Sequence, residues 1–274
     1  MAIGLLMIAG GLAAGVFGSL LGLGGGILIV PLLTLGFGLP LREAVGVSLV
    51  CVIVTSGASA GVYLQRHVAN LRLGMTLELF TAAGALAGGL VAFLLPERVL
   101  AGLFAALLVY VAVSMARRTE PEPVPAAGDD AIAAPDPGGS FGRSLDAPGY
   151  VVRGLVPGAV GSVGAGVVSA LLGIGGGLVK VPVMHLVMGV PLRVATATSN
   201  LMIGVTASAS AIIYLLRGGV DPYVAGPTAI GVFVGASLGS RTAHRIDLGV
   251  LRVLFVVVLA YTAFQMIRRA LGAT

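Results

Sequence analysis

Along this chain apolar positions do not alternate with polar ones; they run together. Uncharged, mostly apolar stretches cover 44–65, 79–96, 99–116, 154–179, 194–216 and 222–240, and the first 41 residues hold no ionisable side chain. Each stretch approaches the roughly 20 residues that a helix needs to cross a bilayer. The pattern predicts an all-α polytopic membrane protein. In the first half it predicts a span over about 2–21, a short apolar piece over 27–38, and spans over 44–65, 73–95 and 98–117.

The pattern then repeats. "LLGLGGGILIVPLL" fills residues 20–33 and "LLGIGGGLVKVPVM" fills 171–184, a shift of 151 positions. At that shift Pro31 falls on Pro182, Pro40 on Pro191, Arg42 on Arg193, Ser48 on Ser199, Tyr63 on Tyr214 and Gly84 on Gly235, with no gap between 14–118 and 165–269. Shared apolarity would match Leu with Val, but not prolines, arginines and glycines in one register. The chain reads as two homologous transmembrane repeats, 1–118 and 149–274. The joining segment 119–148 is acidic and rich in Pro and Gly, with too little apolar periodicity to bury anything, and is expected to be disordered. Arg117 and Arg118 before it and Arg153 after it predict a cytoplasmic position.

Topology is left with two solutions. If the short piece folds back or only completes the first span, each repeat has about four spans and the two are parallel; if it crosses, there are five plus five and they are inverted. Loop arginines tally equally for both. Four plus four is the preferred expectation, with five plus five inverted as the alternative.

Composition narrows the class. Hydrophobic residues make up 57% of the 274 and charged residues 10%, which excludes a soluble globule; no nucleic-acid partner is expected. The net charge of +5 is uneven: six of the eleven acids lie in 119–148, leaving +10 on the membrane part. That excess suits lipid phosphates and orientation, or the attraction of an anion. Cys51 is alone, so no intrachain disulfide forms and packing is its expected role. No Lys or Arg precedes the first apolar run and no A-x-A site ends it, so that span is expected to be retained.

Three consecutive glycines inside an apolar run break a helix, because Gly is poor in helix interiors and apt where the backbone must bend or be approached closely. Freed backbone groups inside a bilayer are tolerated only against protein or a wet cavity. The helix that restarts after each break presents unpaired amides at its positive end, which attract anions. Broken helices at matching positions of two repeats mark a transporter's binding site. Gly24, Gly25, Gly26, Gly175, Gly176 and Gly177 are therefore candidate substrate-binding residues, close helix packing being the alternative. A dinucleotide-binding reading fails for want of a preceding strand.

On these motifs the chain resembles the sulfite exporter TauE/SafE family, also called the toluenesulfonate uptake permease family. "GLGGGILIVPLLTLGFGLPLREAVGVSL" and "GIGGGLVKVPVMHLVMGVPLRVATATSN" each carry the glycine run, the V-P, the G-x-P turn and the Ser-bearing helix start, and the likeness covers nearly the whole chain outside the linker. The resemblance implies a carrier of sulfite, thiosulfate, sulfonates or other small sulfur-containing anions, with direction differing among members.

Polar residues inside the apolar spans supply further candidates. Thr196, Ser199 and Asn200 in "ATATSN", with Ser48 in the other repeat, suit either an oxyanion cage or capping of the span's start. Lys180, the only lysine, stands where the first repeat has Ile29, in a run where charge is costly; it reads as an anion partner or as a side chain snorkelling to the interface. Glu78, opposite Ala229, is a candidate for proton coupling or for a place among headgroups, and His185 is a second coupling candidate. No spacing suggests a metal site or a cofactor, and no nucleophile stands beside a base, so an enzyme is not expected.

These readings converge on a secondary transporter of small sulfur-containing anions in the cytoplasmic membrane, working by alternating access. The alternative is an anion-selective channel. Expected partners are the anion, the lipid bilayer and a coupling proton or sodium ion, and an oligomer stays open.

Overall fold

A computed structural model describes residues 2–20, 26–65, 69–117, 145, 150–242 and 248–272. The linker expectation for 119–148 therefore lies outside the described residues apart from Leu145. Every long element among the described residues is helical. In order they are α1 (Ala2–Leu20), α2 (Gly26–Pro31), α3 (Leu41–Gln65), α4 (Leu71–Leu94), α5 (Glu97–Arg117), α6 (Leu155–Leu172), α7 (Gly177–Pro182), α8 (Leu192–Leu216), α9 (Pro222–Thr242) and α10 (Leu248–Ala270). π-helical turns at Leu32–Gly36 and Val183–Val187 extend α2 and α7. Among the described residues four helices are long and apolar enough to cross a membrane, Leu71–Leu94, Glu97–Ser114, Leu155–Leu172 and Val194–Leu216. The protein is a multi-pass membrane protein.

Local chemistry accounts for the element ends. Asn70 caps α4 by accepting from the Leu73 N–H at 3.0 Å. Arg42 closes the other end of α4 by donating to the carbonyls of Ala92 and Leu95. Pro31 and Pro182 each lack the N–H that would continue an α-helical ladder, and each is followed by a π turn, the relaxed register that such a loss favours. Cys51 is fully buried on α3, packed as the sequence suggested.

Close approaches at glycine reveal how the helices run. A Cβ on Gly84 would meet the backbone of Val163, and one on Gly88 the backbone of Val167, so α4 and α6 are parallel. Gly231 and Gly235 meet the backbones of Ile8 and Leu12 in the same way, so α1 and α9 are parallel too. In contrast α3 runs against α8: Gly46 abuts Tyr214, while Ser56 donates to the Asn200 carbonyl at 3.1 Å. Antiparallel packing also joins α5 to α10, where Gly102 faces Ala270 and Arg98 faces Gly272.

The short segment after the second glycine run does not merely complete its span. Gly176 sits beside Ala165 and Ser169, Gly161 beside Val183, and Gly158 beside Met188, and the Arg153 N–H donates to the Met188 carbonyl at 3.0 Å. The chain thus returns along α6 to the level where α6 began. Gly10 against Leu32 repeats, at 151 positions' distance, the contact of Gly161 with Val183.

Two alanine substitutions should separate packing from helix propensity. Gly164 has nothing within 4 Å of a built Cβ, so Gly164→Ala should stabilise by about 1 kcal/mol, the propensity difference. Gly84→Ala forces a methyl into the Val163 carbonyl and should cost about 1–3 kcal/mol by overpacking. Thermal unfolding in detergent should move Tm in opposite directions for the two variants; a shared direction would reject the backbone contact.

Candidate functional site

The second glycine run forms a turn that only glycine accepts easily. Gly173, Gly175 and Gly176 have φ of 70°, 74° and 77°, in the left-handed region that L side chains avoid. The Gly173 N–H closes α6 on the Ser169 carbonyl at 2.8 Å, and α7 opens with Val179 and Lys180 N–H groups on the Gly176 carbonyl at 3.1 and 3.0 Å. The amides of Gly177 and Leu178 precede that ladder and have no partner within it.

The two breaks touch. A Cβ on Gly26, at the start of α2, would lie 2.8 Å from the Gly173 carbonyl and 3.3 Å from Ser48 Oγ. Ser48, on α3, donates to the Gly173 carbonyl at 2.7 Å and lies 3.2 Å from the Gly26 carbonyl, so one hydroxyl ties both interruptions. Gly24 and Gly25 lie outside the described residues.

Around Gly176 and Gly177 the polar groups are arranged differently. Ser199, the counterpart of Ser48, is fully buried and its hydroxyl has no hydrogen-bond partner among the described residues, as is also true of Ser169. Ser169 Cβ lies 3.3 Å from a Cβ built on Gly176, and Ser199 Oγ 3.5 Å from one built on Gly177. Lys180 Cε lies 3.6 Å from the Gly176 position. Two orphaned hydroxyls, the opening amides of α7 and the end of a lysine thus gather at one turn. Buried polar groups without partners are costly and rare, and each demands an explanation.

Behind the turn sits a buried charge pair. Lys180 Nζ lies 2.9 Å from Glu78 Oε2, with relative exposures of 1% and 8%. Thr206 Oγ1 donates to Glu78 Oε1 at 2.7 Å and accepts from Lys180 Nζ. The triad draws α4 from the first half against α7 and α8 from the second. Separating such a pair leaves an uncompensated buried charge, at about 3–5 kcal/mol.

The structure brings Gly26, Gly175, Gly176, Gly177, Ser48, Ser199 and Lys180 together. It engages Glu78 with Lys180 rather than leaving it among headgroups. Thr196 donates to its own helix at the Leu192 carbonyl, 2.8 Å away, and half-buried Asn200 offers its backbone carbonyl to Ser56. His185 is exposed, and its Nδ1 lies 2.9 Å from the Val190 carbonyl. Thr198 accepts from the Asn70 N–H at 2.9 Å, a contact that fastens the start of α4.

Sequence reasoning missed Ser169 and missed the pairing of Glu78 with Lys180. The available signal for the pair was shared asymmetry, since each charge stands opposite an apolar residue, Ala229 or Ile29, in the other repeat. No group of three or more His, Cys, Asp or Glu among the described residues could hold a metal. An apolar groove of about 390 Å³ between α5, α6 and α7, walled by Leu103, Leu107, Val168 and Leu178, has no charged side chain to offer an anion.

Comparison with known proteins places this geometry in a family. The chain is 26% identical to the probable membrane transporter protein YunE of Bacillus subtilis, over 96% of each chain. It is also 26% identical to the probable membrane transporter protein MJ0441 of Methanocaldococcus jannaschii, over 96% of this chain and 94% of that one. No solved structure matches it significantly. The family described as sulfite exporter TauE/SafE matches residues 7–266. With that match running from α1 into α10, the chain belongs to the sulfite exporter TauE/SafE family of membrane transporters.

Proposed function

We propose that this protein is a secondary transporter that moves small sulfur-containing anions, sulfite, thiosulfate or organosulfonates, across the cytoplasmic membrane by alternating access. The anion rests at the second glycine turn. The carrying observation is the pair of buried, unpartnered hydroxyls of Ser169 and Ser199 beside the opening amides of α7. A small sulfur oxyanion has several acceptor oxygens and no need of a metal, which suits converging O–H and N–H donors. Ser48, whose proton is committed to carbonyls, contributes to the cradle by holding the breaks together rather than by touching the anion.

The repeats are best described as five plus five inverted rather than four plus four parallel. Five passes per half make α4, α6 and α8 run one way and α3 and α5 run against α8 and α10, which agrees with every close approach given above. Four passes per half would require α5 and α10 to be parallel, against the facing of Gly102 with Ala270 and Arg98 with Gly272. Inverted repeats supply two equivalent packings of one chain, one open to each side, and that is the usual basis of alternating access.

Cysteines introduced by Arg117→Cys and Leu271→Cys should react with an impermeant maleimide from opposite sides of sealed vesicles; reaction from one side would restore the parallel arrangement. Proteoliposomes should take up labelled thiosulfate, sulfite or a sulfonate with saturation and with dependence on an imposed proton or sodium gradient. Flux without saturation or gradient dependence would favour the channel. Gly176→Leu would force a left-handed residue and fill the turn, and should reduce flux at least tenfold while the protein still inserts; near-normal flux would remove the turn from the site.

A further inference from the structure

Lys180 stands opposite Ile29 and Glu78 opposite Ala229 in the other half, so the second glycine turn carries a charge pair that has no equivalent at the first. Lys180 passes along the turn, with its Cε 3.6 Å from a Cβ built on Gly176, and ends on Glu78 Oε2 at 2.9 Å. Its ammonium lies behind the same turn that the orphaned Ser169 and Ser199 hydroxyls flank. A cation so buried tolerates one counter-ion, and in this structure Glu78 is that counter-ion. An anion arriving at the turn would face a pair that is already neutral and would bring uncompensated negative charge into the apolar interior, where charge is costly.

The surroundings offer no other source of compensation. Among the described residues, α6 carries no titratable side chain, α7 carries only Lys180, and the π turn after it carries His185, which is exposed and bonded to Val190. On α8 the titratable groups are Arg193 in the first turn and Tyr214, which donates to the Ala170 carbonyl at 2.9 Å. On α4 itself Arg72 is exposed. Among the described residues Glu78 is the one acid facing Lys180 that can change its charge in answer to a bound anion.

We propose that Glu78 takes up one proton for each anion bound at the second glycine turn, the anion replacing the Glu78 carboxylate as the counter-ion of Lys180. This rests on the transport reading above and names its coupling ion. The proton comes from water on the side to which the site is open and bonds to a Glu78 carboxylate oxygen; on the other side it leaves with the anion, and no other bond changes. Thr206 suits both states, since its hydroxyl donates to the carboxylate and can accept from the protonated acid. The carrier then moves anion and proton together.

The test uses the full chain in lipid nanodiscs with thiosulfate and methanesulfonate as probes, since neither titrates near neutral pH as sulfite does. Binding and proton uptake are read together, by calorimetry in buffers of different ionisation enthalpy and by a pH-indicator dye. For the native protein, about one proton should enter per bound anion where free Glu78 is ionised, and affinity should fall about tenfold per unit rise of pH there, as linkage requires. Glu78→Gln should bind with no proton uptake and a flat pH profile. The double substitution Glu78→Gln with Lys180→Met removes both charges, so no lone buried ion threatens its folding; it should bind at least tenfold more weakly and take up no proton. Binding by the native protein without proton uptake, or a proton still taken up by either variant, overturns the coupling role and leaves the transport site standing. Failure of the native protein to bind either probe overturns the site itself, and the coupling falls with it.

Discussion

A peptide group set free inside a bilayer has no water to bond, and this constraint governs the whole architecture. The second glycine run interrupts a helix between α6 and α7, and Gly26, the last glycine of the first run, opens α2 beside it; the groups freed there must find partners inside the protein. They find them in each other: Ser48 spans the carbonyls of Gly26 and Gly173, and Gly26 has no side chain because Gly173 occupies that space. The core therefore has a polar centre surrounded by apolar packing. Helices α3 and α8 pack antiparallel there.

The two halves share a plan but divide the labour. At matching positions Ser48 is spent on structure while Ser199 is left unpartnered. Lys180 is matched by Ile29, Glu78 by Ala229, and Thr206 by Thr55, whose hydroxyl donates back to its own helix at Cys51 and Val52. The charges come from both halves, Glu78 from the first and Lys180 from the second, and they meet beside the second glycine turn.

Much of this was legible in the sequence for physical reasons. Apolar run length announces spans, because crossing a bilayer as a helix demands about 20 apolar residues in a row. The second glycine turn was legible as well: Gly173, Gly175 and Gly176 are left-handed, three residues in four, a conformation that suits Gly above other residues. Helix direction was not, because loop arginines counted equally for both topologies, and only contacts such as Gly102 with Ala270 distinguish them. Nor could sequence join Glu78 to Lys180, which are brought together by the packing of α4 against the second half. Ser169 was hidden more thoroughly. A serine in a membrane helix ordinarily bonds back to its own turn, as Ser162 does to the Gly158 carbonyl, and nothing in the letters marks Ser169 as one that does not.

The exchange of neighbours between halves has a consequence for how the molecule comes into being. α1 lies against α9, and α4 against α6, with glycine-mediated backbone contact in both cases. α1 thus waits for α9 before its small-residue face is covered, and α4 waits for α6. Contacts so distant along the chain slow assembly and expose incomplete intermediates. The segments that the sequence aligns as repeats, 1–118 and 149–274, thus cover each other's helices, and neither makes these contacts alone.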